Sequence, residues 1–180
     1  TKITQPVANT AYPAGSLSNR LKLAAALIGS NLGTRVVTID WGSFDTHGTQ
    51  IASQDPQLTT LAQALSAFNA DLVARGLAQR VITVVFSEFG RRITENGSQG
   101  TDHGAAGLMF AIGGGVRGGL YGSAPNLRAT PDNPTLENNG ADVRHETDFR
   151  SVYASVIDSW LGANSVNLLG GNFRGGPAFI

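Results

Sequence analysis

The chain has 180 residues, of which 41% are hydrophobic and 14% are charged, a composition typical of one folded domain and not of a disordered chain. Thirteen basic residues balance thirteen acidic ones, so the overall charge favours neither nucleic-acid binding nor adhesion to an anionic membrane. No apolar run is long enough to span a bilayer, and there is no cysteine. Any metal must therefore be bound by carboxylate, imidazole, hydroxyl or carbonyl groups.

Residues 1–15 contain prolines and a glycine without sustained periodicity, which predicts an irregular lead-in. Residues 16–180 are expected to form a single domain. A first helix is predicted to begin at Ser16, as its cap, and to end near Gly33. Its apolar positions, which follow the 3.6-residue period, are Leu17, Leu21, Ala24, Ala25 and Ile28.

The next three predicted elements are a strand, a helix and a strand. Residues 35–40 are a short β-branched run, residues 56–75 have apolar side chains at helical spacing after an Asp-Pro start, and residues 81–86 are apolar again. Such a unit with short connections predicts parallel strands and a right-handed crossover. The fold class expected is therefore α/β, with three layers, α/β/α, around a mostly parallel sheet. The 56–75 helix would cover one face of that sheet.

Further along the chain, residues 108–112 are predicted to form a third strand, which a run of three glycines closes. Residues 116–147 are rich in Gly, Pro and Asn and are predicted to be a long irregular excursion. A last helix should begin after Asp148 as its cap and stop at Gly162. Its predicted inward side chains are Val152, Tyr153, Val156, Ile157, Trp160 and Leu161.

The residues that could bind a ligand follow the predicted strands, because ligands of open α/β sheets bind beyond the carboxyl ends of the strands. Asp45 and His47 follow the first strand, and Asp102 and His103 lie beyond the second. The third histidine of the chain, His145, lies just before the last helix. A lone histidine is more often structural than a ligand, but two carboxylate–imidazole pairs at one sheet edge would suit a divalent metal such as zinc or manganese.

Other residues in this region have more than one interpretation. Arg91 and Arg92 can bind an anionic oxygen of a phosphate or sulfate, or they can be solvated surface side chains. Glu88 can ligate a metal, orient His103, or cap a turn. The glycine-rich segment 113–119 lacks the lysine of a phosphate-binding loop, which favours a flexible turn.

Four segments of the sequence together resemble a known bacterial family, the domain of unknown function 1501. They are Asp45-Thr-His-Gly48, Phe86-Ser-Glu-Phe-Gly-Arg-Arg92 with Glu95-Asn-Gly97, Gly100-Thr-Asp-His-Gly104 and Asp148-Phe-Arg-Ser-Val-Tyr153. That family is similar to the alkaline phosphatase and sulfatase superfamily. The resemblance runs from about Tyr12 to Gly162 and implies a periplasmic or secreted metal-dependent hydrolase of small anionic esters.

The superfamily resemblance also implies a ligand set for two metals. Asp45, His47 and His145 would bind the first metal, with Asp40 as the fallback for Asp45, and Asp102 and His103 would bind the second. Zinc or manganese is expected, with calcium or magnesium as alternatives. The superfamily's nucleophile and one further Asp ligand have no counterpart here, so an N-terminal half, or a separate chain completing the sheet, is expected to supply them. The alternative is a non-catalytic metal-binding or assembly module.

Overall fold

A computed structural model describes residues 10–130 and 132–180 of the chain, which divides into two units, Thr1–Val81 and Ile82–Ile180. We call these the N-terminal and the C-terminal unit. Most of the predicted lead-in, residues 1–9, lies outside the described residues, and residues 10–15 contain neither helix nor strand.

The N-terminal unit is a pair of helices, α1 (Ser16–Gly29) and α2 (Gln50–Ala74), followed by a 3₁₀ turn over Ala78–Arg80. The two helices pack through their apolar faces, as the helical spacing of these side chains requires. The buried core consists of Leu17, Leu21, Ala24, Ala25, Ala64, Phe68, Leu72 and Leu77. The four residues predicted for the inner face of α1 upstream of Ile28 are all buried, and Ile28 packs against this core half-buried.

Helix α2 begins earlier than predicted. Its first residue is Gln50, so Asp55 and Pro56 lie inside the helix and not at its start. Pro56 is the seventh residue of the helix, so the helix gives up the hydrogen bond that an N–H there would donate to the Ala52 carbonyl. The predicted end is correct: Gly76 follows the last turn with a φ of 69°, the left-handed conformation that glycine adopts at little cost.

The strand predicted over residues 35–40 is wrong. These residues have no regular secondary structure, and Val36 and Val37 are exposed. The β-branched run favours an extended backbone, yet α2 packs its apolar face on α1 and not on a sheet. The N-terminal unit therefore has no strand among its described residues.

The C-terminal unit contains six short strands in three separate pairs. They are β1 (Ile82–Val85), β2 (Gly90–Arg91), β3 (His103–Gly104), β4 (Phe110–Gly113), β5 (Leu136–Glu137) and β6 (Asp142–Val143). β1 pairs with β4, β2 with β3 and β5 with β6, all antiparallel. β1 and β4 confirm the strands predicted near residues 81–86 and 108–112.

The predicted fold class is contradicted by these pairings. Within the described residues there is no parallel pair and no three-layer α/β/α arrangement, only small antiparallel sheets. Local composition predicts that β1 is a strand, but it does not predict which strand pairs with it. β1 aligns with β4 in the register Ile82 to Gly113, a contact that no periodicity specifies.

The last predicted helix is present as α3 (Phe149–Ser155), which continues as a π-helix over Val156–Trp160. Its predicted cap is confirmed, because the Asp148 carboxylate accepts a hydrogen bond from the Arg150 backbone N–H at 2.9 Å. A further short helix, α4 (Ser165–Leu169), lies in the glycine-rich tail. None of the described helices combines the length and the apolar character needed to cross a membrane.

Candidate metal centre

Asp45 and His47 form a close pair in the loop before α2. The Oδ1 atom of Asp45 lies 2.8 Å from Nε2 of His47, and the two side chains are 57% and 48% exposed. The intervening Thr46 is buried. The Thr46 backbone N–H donates to the Phe44 carbonyl at 2.9 Å, which turns the chain at Asp45 and leaves Asp45 and His47 exposed on either side of the buried threonine.

Helix α2 holds this loop in place through Thr46. The Thr46 hydroxyl donates to Oε1 of Gln54 at 3.1 Å, and the same oxygen accepts a hydrogen bond from Gln50 at 2.7 Å. Thr49 enters the helix with a φ of 42° in the left-handed region. The loop that carries the pair is therefore fixed to the first turn of α2.

The Asp45 carboxylate lies against Nε2 of His47, one of the two ring nitrogens through which an imidazole can coordinate a metal. A carboxylate that accepts a hydrogen bond from a ligating histidine fixes the tautomer and orientation of its ring. Asp45 can therefore act in two ways, as a ligand beside His47 or as the group that orients it. The fallback residue Asp40 is not part of this pair, and its backbone carbonyl accepts a hydrogen bond from Arg20.

His103 lies in the β2–β3 hairpin of the C-terminal unit, directly across from Arg91. Its exposed imidazole stacks on the Phe89 ring, with the ring centroids 3.8 Å apart and the planes 11° from parallel. Stacking of this kind restricts rotation of the imidazole. His103 is thereby presented in a defined orientation, which is a requirement for a ligand.

The hairpin brings its two backbones unusually close. A Cβ atom built on Gly104 would lie 2.5 Å from the carbonyl carbon of Arg91, and one on Gly90 would overlap the carbonyl oxygen of Ala106. Only glycine fits at either position. This explains the glycines that flank the polar motifs better than a need for flexibility does.

Asp102 does not accompany His103. Its carboxylate accepts a hydrogen bond from the Asn96 side chain at 3.2 Å and lies 3.6 Å from Nη1 of Arg92. Arg92 donates its backbone N–H to the Asp102 carbonyl, so these two residues are cross-strand neighbours, as Arg91 and His103 are. Adjacent residues of a strand point to opposite faces, which separates the Asp102 carboxylate from the His103 ring.

Arg91 and Arg92 both make contacts within the C-terminal unit. Arg91 donates to the Thr101 carbonyl oxygen, and its guanidinium lies 5.2 Å from the centroid of the Phe89 ring. Arg92 lies between two carboxylates, with Nε 3.7 Å from Oδ1 of Asp142, a buried oxygen without a hydrogen-bond partner among the described residues. The expected role of the two arginines in binding an anion stays a prediction.

His145 and Glu88 lie elsewhere in the C-terminal unit. Glu88 accepts a hydrogen bond from the neighbouring Ser87 hydroxyl at 3.2 Å. His145 is exposed, three residues before the Asp148 cap. Hydrogen bonds from the side chain and then the backbone of Arg150 hold the pKa of Asp148 at about 2, and His145 adds a smaller electrostatic contribution.

In the described residues, neither Asp102 nor His145 lies in a cluster of three or more His, Asp or Glu side chains able to hold a metal. The sequence does not predict the residues that support the histidines, namely Thr46, Gln54 and Phe89. No local pattern indicates any of the three, because each acts through a tertiary or turn contact.

The sequence matches a protein-family model described as Protein of unknown function (DUF1501) over residues 8–172. The chain belongs to this family. The DUF1501 match includes both aspartate–histidine segments and His145, which confirms the family resemblance drawn from the four motifs. The wider relationship to alkaline phosphatases and sulfatases stays a prediction. No curated protein and no solved structure is similar enough to count as a match.

Proposed function

We propose that this DUF1501 chain binds divalent metal, that His47 and His103 are each metal ligands, with Asp45 as a ligand or as the group that orients His47, and that the chain serves a metal-dependent hydrolase of phosphate or sulfate esters. The observation that carries the proposal is the 2.8 Å contact between Asp45 and His47 in a loop fixed by Thr46. Zinc or manganese is the expected metal, because both accept imidazole nitrogen and carboxylate oxygen.

The residues present fit such an ion. Asp45, His47 and His103 are all exposed, and carboxylate oxygen and imidazole nitrogen are ordinary ligands of such ions. Each histidine is also held in orientation by a neighbour, His47 by the Asp45 carboxylate and His103 by the Phe89 ring. Restraint of this kind lowers the conformational cost of binding and strengthens a ligand. A bound divalent ion would supply Lewis-acid stabilisation of the charge on an anionic ester.

Metal binding is tested by calorimetric titration of the chelator-treated chain with Zn²⁺ and with Mn²⁺. His47→Ala and His103→Ala should each weaken the affinity by at least about tenfold. Asp55→Asn is the matched control, because Asp55 is an exposed aspartate on α2 of the same unit and should leave the affinity unchanged. Unchanged metal affinity in both histidine variants, with the control behaving as expected, would exclude these histidines as ligands.

The same titration distinguishes the two roles of Asp45. The Asn amide oxygen can still accept a hydrogen bond from His47, but it is neutral and is a weaker metal ligand than a carboxylate. If Asp45 orients His47, Asp45→Asn should bind metal almost as well as the parent chain and Asp45→Ala should not. If Asp45 is a ligand, both variants should lose affinity.

Hydrolysis is tested with p-nitrophenyl phosphate and p-nitrophenyl sulfate, with and without chelator. The 180-residue chain alone is expected to show no turnover, because the superfamily resemblance assigns the nucleophile to a segment or partner that these residues do not match. Addition of that segment should restore turnover together with tighter metal binding. Turnover by the chain alone that His103→Ala abolishes would instead place the nucleophile within these residues.

A second candidate function is a metal-binding or assembly module without catalysis. The position of Asp102 favours it, because this carboxylate faces Arg92 and Asn96 and is not presented with His103 as the second metal of the superfamily would require. Metal analysis separates the two candidates. Binding of a single ion, with no turnover of either ester in the presence of the N-terminal segment, would support the module.

A further inference from the structure

A groove of about 580 Å³ lies in the N-terminal unit, where residues 40–43 adjoin Arg20 of α1 and Gln57 of α2. Its lining includes Arg20, Asp40, Trp41, Ser43 and Gln57. This volume is in the range of small-molecule sites, which combine apolar surface with a few convergent polar groups. Metal-site residues are not among those that line it.

Both helices fix the wall of this groove. From α1, Arg20 donates to the backbone carbonyl of Asp40. From α2, the Gln57 side chain accepts a hydrogen bond from the Ser43 N–H at 2.9 Å and donates one to the Ser43 carbonyl at 3.3 Å. The Gln57 amide thus pairs with Ser43 as a neighbouring strand would. The wall is formed before any ligand arrives, which reduces the ordering cost of binding.

The turn at Gly42 needs glycine for two reasons. Its φ is 95°, in the left-handed region, and a Cβ atom there would lie 2.5 Å from the Phe44 ring. Phe44 in turn meets Trp41 edge to face, with ring centroids 5.9 Å apart. Trp41 is half-buried and packs against the core of the unit, while part of it lines the groove. The groove therefore includes a firmly held aromatic surface.

The charges around Trp41 indicate which ligand fits. Arg20 offers several N–H donors and Asp40 offers carboxylate acceptors, so the groove pairs one positive with one negative side chain. The Asp40 carboxylate would repel an anionic ligand, and the Arg20 guanidinium would repel a cationic one. A neutral ligand with many hydroxyl groups satisfies both, since each hydroxyl donates and accepts. A ring with an apolar face can also lie on the indole.

We infer that this groove is a carbohydrate-binding site for a neutral pyranose, with Trp41 beneath the sugar ring and Arg20 and Asp40 on its hydroxyl groups. The inference does not depend on the metal proposal, because all residues that carry it lie in the groove. A nucleoside, which also has an aromatic face and hydroxyl groups, is the competing ligand class.

The experiment is a titration of the full chain with methyl glycosides of glucose, galactose, mannose and xylose, followed by ¹H–¹⁵N NMR. The Trp41 indole N–H and the Ser43 amide should shift with saturation, and the indole of Trp160, which lies in the other unit, should not. Asp40→Asn and Arg20→Gln should each weaken binding by at least about tenfold. Both residues are exposed, so the variants should keep the fold, which the remaining spectrum verifies.

Arg80→Gln and Asp55→Asn are the matched controls, because both residues are exposed in the same unit and outside the groove lining. They should bind the glycosides as the parent chain does. Absence of saturable shifts with all four glycosides would overturn the inference. Equal glycoside binding by Asp40→Asn, Arg20→Gln and the controls would also overturn it. So would a shift of the Trp41 indole signal by adenosine or uridine at a lower concentration than any glycoside requires. None of these outcomes changes the result expected for the metal titration.

Discussion

The segment around His47 and the segment around His103 each combine an aspartate with a histidine, but they present these side chains differently. Asp45 and His47 flank a buried threonine, and carboxylate and imidazole meet at 2.8 Å. Asp102 and His103 are neighbours in sequence, and Asp102 contacts Arg92 and Asn96 while His103 stacks on Phe89. The local backbone conformation, a turn at Asp45 and a strand pair at His103, therefore matters more for bringing an aspartate to a histidine than proximity in sequence.

The largest expected effect concerns the backbone contact that supports His103. Gly90→Ala places a methyl group on the Ala106 carbonyl oxygen and should destabilise the C-terminal unit by at least about 3 kcal/mol in chemical unfolding. Gly97→Ala is the control, because a Cβ atom at Gly97 meets nothing within 4 Å, and its change should stay within about 0.5 kcal/mol. Equal stability of the two variants would show that the hairpin is not closely packed.

Thr46→Val tests whether the buried threonine brings Asp45 and His47 together. Valine keeps the shape but removes the hydroxyl that donates to Gln54, which should cost about 1 kcal/mol of unfolding free energy. Metal affinity should fall in this variant because the loop loosens. Thr60→Val is the control, since the Thr60 hydroxyl only bonds the Pro56 carbonyl within α2. An unchanged metal affinity in Thr46→Val would show that the buried threonine does not bring Asp45 and His47 together.

Phe89→Leu should have a smaller effect, confined to the His103 segment. Loss of the stacked ring is expected to cost about 0.5 kcal/mol of stability and to widen the range of imidazole orientations. Metal affinity should drop, and Phe89→Tyr should retain it, because tyrosine presents the same ring face. If both substitutions lower the affinity equally, the ring does not orient His103.

The smallest expected effect concerns the third histidine, which lies near Asp148. The folded-state pKa of Asp148 is about 2, below the ordinary aspartate value of 3.8. A depressed pKa means that the cap contributes stability above pH 3.8 and loses it as the pH falls through about 2. An NMR titration of the Arg150 amide should follow this loss. His145→Ala should shift the midpoint slightly upward, and a downward shift would contradict the electrostatic contribution of His145.

Local elements were predictable from the sequence, and their pairing was not. The faces of α1 and α2, the strand near Val84 and the Asp148 cap follow from periodicity and capping, which are properties of short segments. The parallel sheet was wrong because the register of β1 with β4 depends on a tertiary contact. At the candidate site, residue types were predictable, whereas the support from Phe89 and the separation of Asp102 depend on the hairpin.

The π-helix after α3 has a consequence for changes in chain length. A π turn holds one residue more than an α turn, so removal of one codon within residues 156–159 converts it to an α turn. The residues beyond keep their direction, and Trp160 stays against Gly115, where no side chain would fit. The same deletion in the middle of α2 would rotate every later residue of that helix by about 100°. One-residue length variation among homologues is therefore expected at this π-helix and not in α2.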